Sequence, residues 1–171
     1  MSCIEPRDLT KLVALGLGLA AAVAVAAPSR FTSRVAYEPL VAKLKAAGGD
    51  AARIVRIRAV GDLAALESGK RYKFVVAEAG ALSVAPLPAE APNNEYVHPI
   101  LAGGGAVRTA GGLVVVRTPD GRLAKIVVDQ DSKAYCPTFE SLDEAVQALT
   151  RIGVAATLVA RQPRVPECVA R

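Results

Sequence analysis

The sequence predicts an α+β fold: a single domain built on a mostly antiparallel sheet with two packed helices, preceded by an N-terminal hydrophobic helix. Three observations carry that expectation. A chain of 171 residues that is 52% hydrophobic can bury one core and is short for two. Gly112 to Arg117 (GLVVVR) and Arg122 to Asp129 (RLAKIVVD) flank Thr118-Pro119-Asp120-Gly121, a turn sequence between two β-prone runs, and so form a hairpin. Leu142, Val146, Leu149 and Ile152 then recur at helical spacing behind Ser141-Leu142-Asp143-Glu144, the Ser-x-x-Glu pattern of a capping box, and stop at Gly153.

The elements follow in order. Glu5, Arg7, Asp8 and Lys11 cancel in charge, and Leu12 to Ser29 runs uncharged as LVALGLGLAAAVAVAAPS. A short apolar stretch behind a basic residue, ending in small residues, is the layout of a secretory signal. Ala24-Val25-Ala26 supplies the cleavage site, so residues 1–26 form a signal peptide. The alternative is a retained anchor, in which case residues 12–29 contact the membrane. Residues 30–171 form the domain. Tyr37 to Ala47 reads as a helix stopped by Gly48-Gly49, residues 53–60 (RIVRIRAV) as a half-buried strand, with an amphipathic helix as the alternative, and Asp62 to Glu67 as a helical turn. Arg71 to Glu78 and Ala81 to Ala85 make a second hairpin around Ala79-Gly80. Residues 86–95, with Pro86, Pro88, Pro92 and Asn93-Asn94, read as an exposed proline-rich loop. Val154 to Ala160 closes the domain as a β-branched strand running back beside the preceding helix.

Cysteine usage fits export. With Cys3 inside the leader, Cys136 and Cys168 remain as an even pair, which in an oxidising compartment reads as a disulfide, two unrelated buried thiols being the competing reading. A helix over residues 140–152 carries the chain roughly 20 Å out and a strand about 23 Å back, returning it near Cys136. A bridge closing that loop contributes about 3–4 kcal/mol of stability.

Composition excludes more function classes than it admits. The single histidine, His98, and three cysteines cannot supply the four ligands a zinc site usually needs, and leave one base for any Ser-His-Asp or Cys-His arrangement. Aromatic residues are 4% of the chain and tryptophan is missing, so a base-stacking surface and a nucleic-acid partner are not expected. No cofactor and no metal are expected either. Residues 30–73 hold ten basic side chains against four acidic ones, whereas residues 74–171 hold nine against ten. The basic half, with Arg53, Arg56 and Arg58, could face an anionic surface or an acidic partner. The bland reading of the same charges is a solvated face.

Candidate chemistry is thin. His98, in NNEYVHPILAGGG, could serve as a general base, with the structural histidine as the competing reading. Gly103-Gly104-Gly105 could cradle an anion, though it lacks the Lys-Ser/Thr ending of a P-loop and reads also as a flexible loop. Asp129, Asp131 and Ser132 offer oxygens for Ca²⁺ without the spacing of a calcium loop, which favours a polar turn.

From Lys73 to Gly153 the chain resembles a small bacterial domain of uncharacterised function found in secreted and multidomain proteins. The residues that carry the resemblance are His98-Pro99-Ile100-Leu101-Ala102-Gly103, Ala110-Gly111-Gly112, the hairpin, Ser132-Lys133-Ala134-Tyr135-Cys136-Pro137 in place of a Ser-Gly-His-Tyr-x-Pro motif, and Glu140-Ser141-Leu142. They keep the family's order over about half the chain. Two positions depart: Ala134 stands where the family has His, and Gly112 where it has Glu. What the resemblance implies is a version without the family's two most chemically capable side chains, retaining Tyr135 and His98.

The expectation for function is an exported, non-catalytic binding or accessory-subunit domain contacting a protein or an envelope component, periplasmic or extracellular. Its candidate binding residues are Arg53, Arg56, Arg58, Asn94, His98, Gly103 and Gly104. The alternative is a secreted enzyme or toxin-like effector using His98 and Tyr135.

Overall fold

The computed structural model describes residues 29–46, 54–86, 97–164 and 167–168. The expected signal peptide or anchor with its hydrophobic helix, Arg53, Asn94 and nearly all of the 86–95 loop lie outside the described residues. Among the described residues, no helix is long and apolar enough to cross a membrane.

The fold is α+β. Helix α1 (Tyr37–Ala46) precedes strand β1 (Val55–Ile57), a 3-10 turn over Val60–Ala65, and the hairpin β2 (Arg71–Ala77) and β3 (Leu82–Pro86). Helix α2 (Val97–Leu101), strands β4 (Val107–Arg117) and β5 (Leu123–Asp129), helix α3 (Leu142–Arg151) and strand β6 (Val159–Gln162) follow. Six strands form one mixed sheet in the order β1-β3-β2-β4-β5-β6. Every neighbouring pair is antiparallel except β5 and β6, which run parallel. Both expected hairpins form, and Gly121 closes the second with φ 82°, its amide donating to the Thr118 carbonyl at 2.8 Å.

Strand alternation divides the sheet into two faces. Tyr72, Phe74 and Val76 on β2 share the first face with Leu113 and Val115 on β4 and Ile126 and Val128 on β5, and α3 packs there through Leu142, Ala145, Ala148 and Leu149. The buried stripe of α3 passes through the two alanines; Val146, expected in it, is only half-buried. Arg71, Lys73 and Val75 point to the second face, where α2, residues 31–35 and the 130–137 loop make a smaller apolar cluster with Val107, Leu101 and Tyr135.

Three expectations need correction. Among the described residues the helices number three, because residues 97–101, read as loop, form α2. Only five residues long, it is too short for apolar periodicity to register. The capping box does not form. Ser141 already has helical backbone angles, φ −64° and ψ −14°, and its hydroxyl donates to the Thr138 carbonyl at 2.7 Å and meets Thr109 Oγ1 at 3.0 Å. The Glu144 carboxylate pairs instead with Arg108 at 3.3 Å. The last strand begins later than expected, at Val159, behind a 3-10 turn over Ala156–Leu158. It joins the sheet edge parallel to β5, with α3 inside the crossover that parallel pairing requires.

Candidate functional site

Among the described residues, a dense group of ionisable side chains sits on the second face, where β2, β4 and β5 run side by side. Register places Lys73 beside Gly112 and Gly112 beside Asp129, so all three lie in one row across the sheet. In the adjoining row, Arg71 lies next to Val114. Because side chains two apart on a strand share a face, Arg71-x-Lys73 presents two cations together; Asp129, ending β5, and Asp131 just beyond it supply two carboxylates.

Their contacts interlock. Arg71 grips the Asp129 carboxylate with both terminal nitrogens, at 2.6 and 2.9 Å. Asp129 Oδ1 also accepts the amides of Gly112 and Asp131, each at 3.0 Å. Burial pushes the Asp129 acid up, and is outweighed by the Arg71 hydrogen bonds and the backbone donors, so its carboxyl is held below the usual carboxylate range. Asp131 Oδ2 faces three cations: Arg71 at 3.2 Å, Lys73 at 3.5 Å and Arg164 at 3.5 Å. Lys73, with only 2% of its side chain exposed, donates to the Asp131 carbonyl at 3.2 Å. Burial pulls its ammonium below the ordinary lysine value, with the Asp131 charge opposing.

His98 enters this face from α2. Its Nε2 lies 3.0 Å from the Gly111 carbonyl, and since a carbonyl only accepts, that nitrogen carries the proton. Burial, followed by the positive charge of Lys73, lowers its pKa to about 4, so the imidazole is neutral. Tyr135, also buried here, donates its hydroxyl to the Gly105 carbonyl at 2.8 Å, and burial raises the phenol to about 12. His98 and Tyr135 thus share a face, yet each spends its polar atom on a different backbone carbonyl. The Ser132 hydroxyl is buried without a hydrogen-bond partner among the described residues.

The other expected site residues fall elsewhere. Gly103 and Gly104 form the turn after α2 with φ of 60° and 77°, a conformation that glycine adopts without strain. Their amides donate within the turn, to Ile100 and Pro99. A Cβ on Gly104 would sit 2.8 Å from the Tyr37 ring. Arg56 and Arg58 are exposed at the β1 edge, separated from Arg71 and Lys73 on β2 by strand β3. Asp129 and Asp131 are engaged by arginine and lysine, and among the described residues no group of three His, Cys, Asp or Glu could hold a metal ion. Gly112, where the resemblance expects Glu, is hemmed in, since a Cβ there would fall on the Arg71 guanidinium; Ala134, where it expects His, is buried, its carbonyl accepting the Arg34 amide at 2.7 Å.

Cys136 and Cys168 lie at disulfide distance, their Cα atoms 5.6 Å apart. Parallel pairing explains the approach: β6 ends with Gln162 beside Asp129, so the tail emerges where the 130–137 loop begins. Sequence reading missed the Lys73 cluster. The signal was present in two i, i+2 charge pairs, Arg71/Lys73 and Asp129/Asp131, but joining them required β4 to be placed between their strands. Comparison with protein-family models, curated proteins and solved structures finds no match to this chain.

Proposed function

We propose that the chain is an exported, disulfide-bridged binding domain that contacts a protein or envelope component and does no chemistry of its own. The observation that carries the reading is the burial of His98 and Tyr135, each committed to a backbone carbonyl. A general base must reach a substrate proton, and neither group faces solvent. The ion cluster points the same way, because its two carboxylates and its buried lysine satisfy one another. Exposed side chains are then what meets a partner, and Arg56 and Arg58 at the β1 edge are the candidates. The Cys136–Cys168 pair and the leader support an oxidising destination.

The test is sedimentation of the purified domain with an envelope preparation from its source cells. Charge reversal at Arg56→Glu and Arg58→Glu is expected to abolish co-sedimentation, while Tyr135→Phe leaves it unchanged. A hydrolytic or transfer activity lost in both His98→Gln and Tyr135→Phe, with the fold intact, would overturn the reading in favour of a secreted enzyme.

A further inference from the structure

Strand β1 ends the sheet. It pairs with β3 on one side, and among the described residues no strand lies on its other side. Val55 and Ile57 turn into the first-face core, with Ile57 3% exposed, so the edge is held firmly. Arg56, between them, alternates to the second face, in register with Ser83 and through it with Val75, and is exposed. Arg58 is exposed as well, and Val60 just beyond is 47% exposed. Three other exposed arginines have acidic partners: Arg30 pairs with Glu78 at 3.1 Å, Arg122 with Asp120 at 2.6 Å, and Arg161 with Asp143. Among the described residues, neither the Arg56 nor the Arg58 side chain makes a hydrogen bond or an ion pair. The Asp62 carboxylate beside Arg58 is taken by the backbone, its Oδ2 accepting the amides of Arg58 at 2.7 Å and Ala59 at 3.0 Å.

We propose that β1 is an acceptor edge for an extended acidic segment of a partner protein, which adds to the sheet as a further strand and sets its carboxylates against Arg56 and Arg58. An edge strand presents backbone donors and acceptors that a second chain can pair with. A strand added there takes affinity from main-chain hydrogen bonds and specificity from its alternate side chains. Guanidinium groups fit carboxylates two bonds at a time, which singles out Asp and Glu as the facing residues. Residues two apart on a strand lie roughly 6.6 Å apart, so acids at alternate positions of the partner fall on the side that carries Arg56. The same charges disfavour a second copy of this chain at the edge, since antiparallel pairing of β1 with itself brings arginine against arginine. The other edge lacks this feature: Arg161 on β6 is spent on Asp143 and on the Phe139 ring, 5.3 Å away. The proposal deepens the binding reading above and rests on it, because Arg56 and Arg58 are the contact residues in both.

The probe is a fluorescein-labelled peptide of alternating glutamate and threonine, titrated into the purified protein and followed by anisotropy. Binding is expected, and Arg56→Glu/Arg58→Glu should weaken it by about tenfold or more. Amide shifts of the isotope-labelled protein should change at residues 55–58 and at Leu82–Val84 opposite them. A peptide N-methylated at alternate amides keeps its charges but cannot pair as a strand; binding as tight as that of the parent peptide would overturn strand addition. Absence of binding, or equal binding of a lysine-threonine peptide, would overturn the proposal outright. So would capture by phosphatidylglycerol vesicles but not by the peptide, which would give the arginines to a membrane surface. If the arginine substitutions abolish envelope co-sedimentation while the peptide never binds, the acidic strand fails and the binding reading stands.

Discussion

His98 donates from Nε2 to the Gly111 carbonyl at 3.0 Å, so the short helix α2 is fastened to the centre of the sheet through a buried, uncharged imidazole. That bond ties together two segments the sequence leaves unconnected, and it makes the fold sensitive to acid through one ring.

Folded His98 holds its pKa at about 4, against 6.5 when unfolded. Between those values the unfolded chain binds a proton that the folded chain does not, so stability is complete above pH 6.5 and declines as pH falls. The loss across the window is about 3 kcal/mol. Asp129 contributes in a different range: its depressed carboxyl is lost only as pH falls below 3.8. Urea unfolding at about pH 7.5 and pH 4.5 measures the His98 part, and His98→Gln is expected to flatten the slope in that window. An unchanged slope in the variant would contradict the assignment.

Lys73 and Asp131 are predicted to respond unequally to substitution. Lys73→Met replaces a buried cation by an apolar chain of similar volume and is expected to shift stability by no more than about 1 kcal/mol. Asp131→Asn leaves Lys73 and Arg71 without a shared carboxylate and should cost about 3 kcal/mol. In the double variant much of that cost should return, which a double-mutant cycle of denaturant midpoints would read as coupling of about 1 kcal/mol or more.

Tyr135→Phe keeps the ring in its apolar cluster and removes only the hydroxyl that donates to Gly105. A loss of about 1 kcal/mol is expected, against about 3–5 kcal/mol for Tyr135→Ala. Because burial raises the phenol to about 12, absorbance titration of the folded wild type should show a tyrosinate that appears only in strong alkali and is missing from the Phe variant.

Gly104→Ala is predicted to destabilise by about 1–3 kcal/mol, since φ is 77° and the new methyl would sit 2.8 Å from the Tyr37 ring. Adding Tyr37→Ala should relieve the collision and leave the backbone term, so the two changes together cost less than their sum in thermal unfolding.

Elements whose signal is local could be read from the residues. The Thr118-Pro119-Asp120-Gly121 hairpin, the β2–β3 hairpin and α3 all form, because a turn sequence or an apolar period announces each. The features that escaped depend on distant partners. Ser141 and Glu144 match a capping box in spacing, but Thr109 and Arg108 on β4 claim their side chains. Val154 to Ala160 looks like a strand throughout, yet only the part beginning at Val159 finds β5, and its parallel direction follows from the α3 crossover. His98 and Tyr135 stood out as chemical groups because of their type, whereas their roles are set by two carbonyls, Gly111 and Gly105, that no side-chain pattern marks.

The intact mass of the native protein, purified from its source without reductant, tests the central claim most directly. An exported, bridged domain predicts a chain lacking residues 1–26 and lighter by the two thiol hydrogens of Cys136 and Cys168. A full-length mass carrying two free thiols would contradict both export with processing and the oxidised pair on which the account rests.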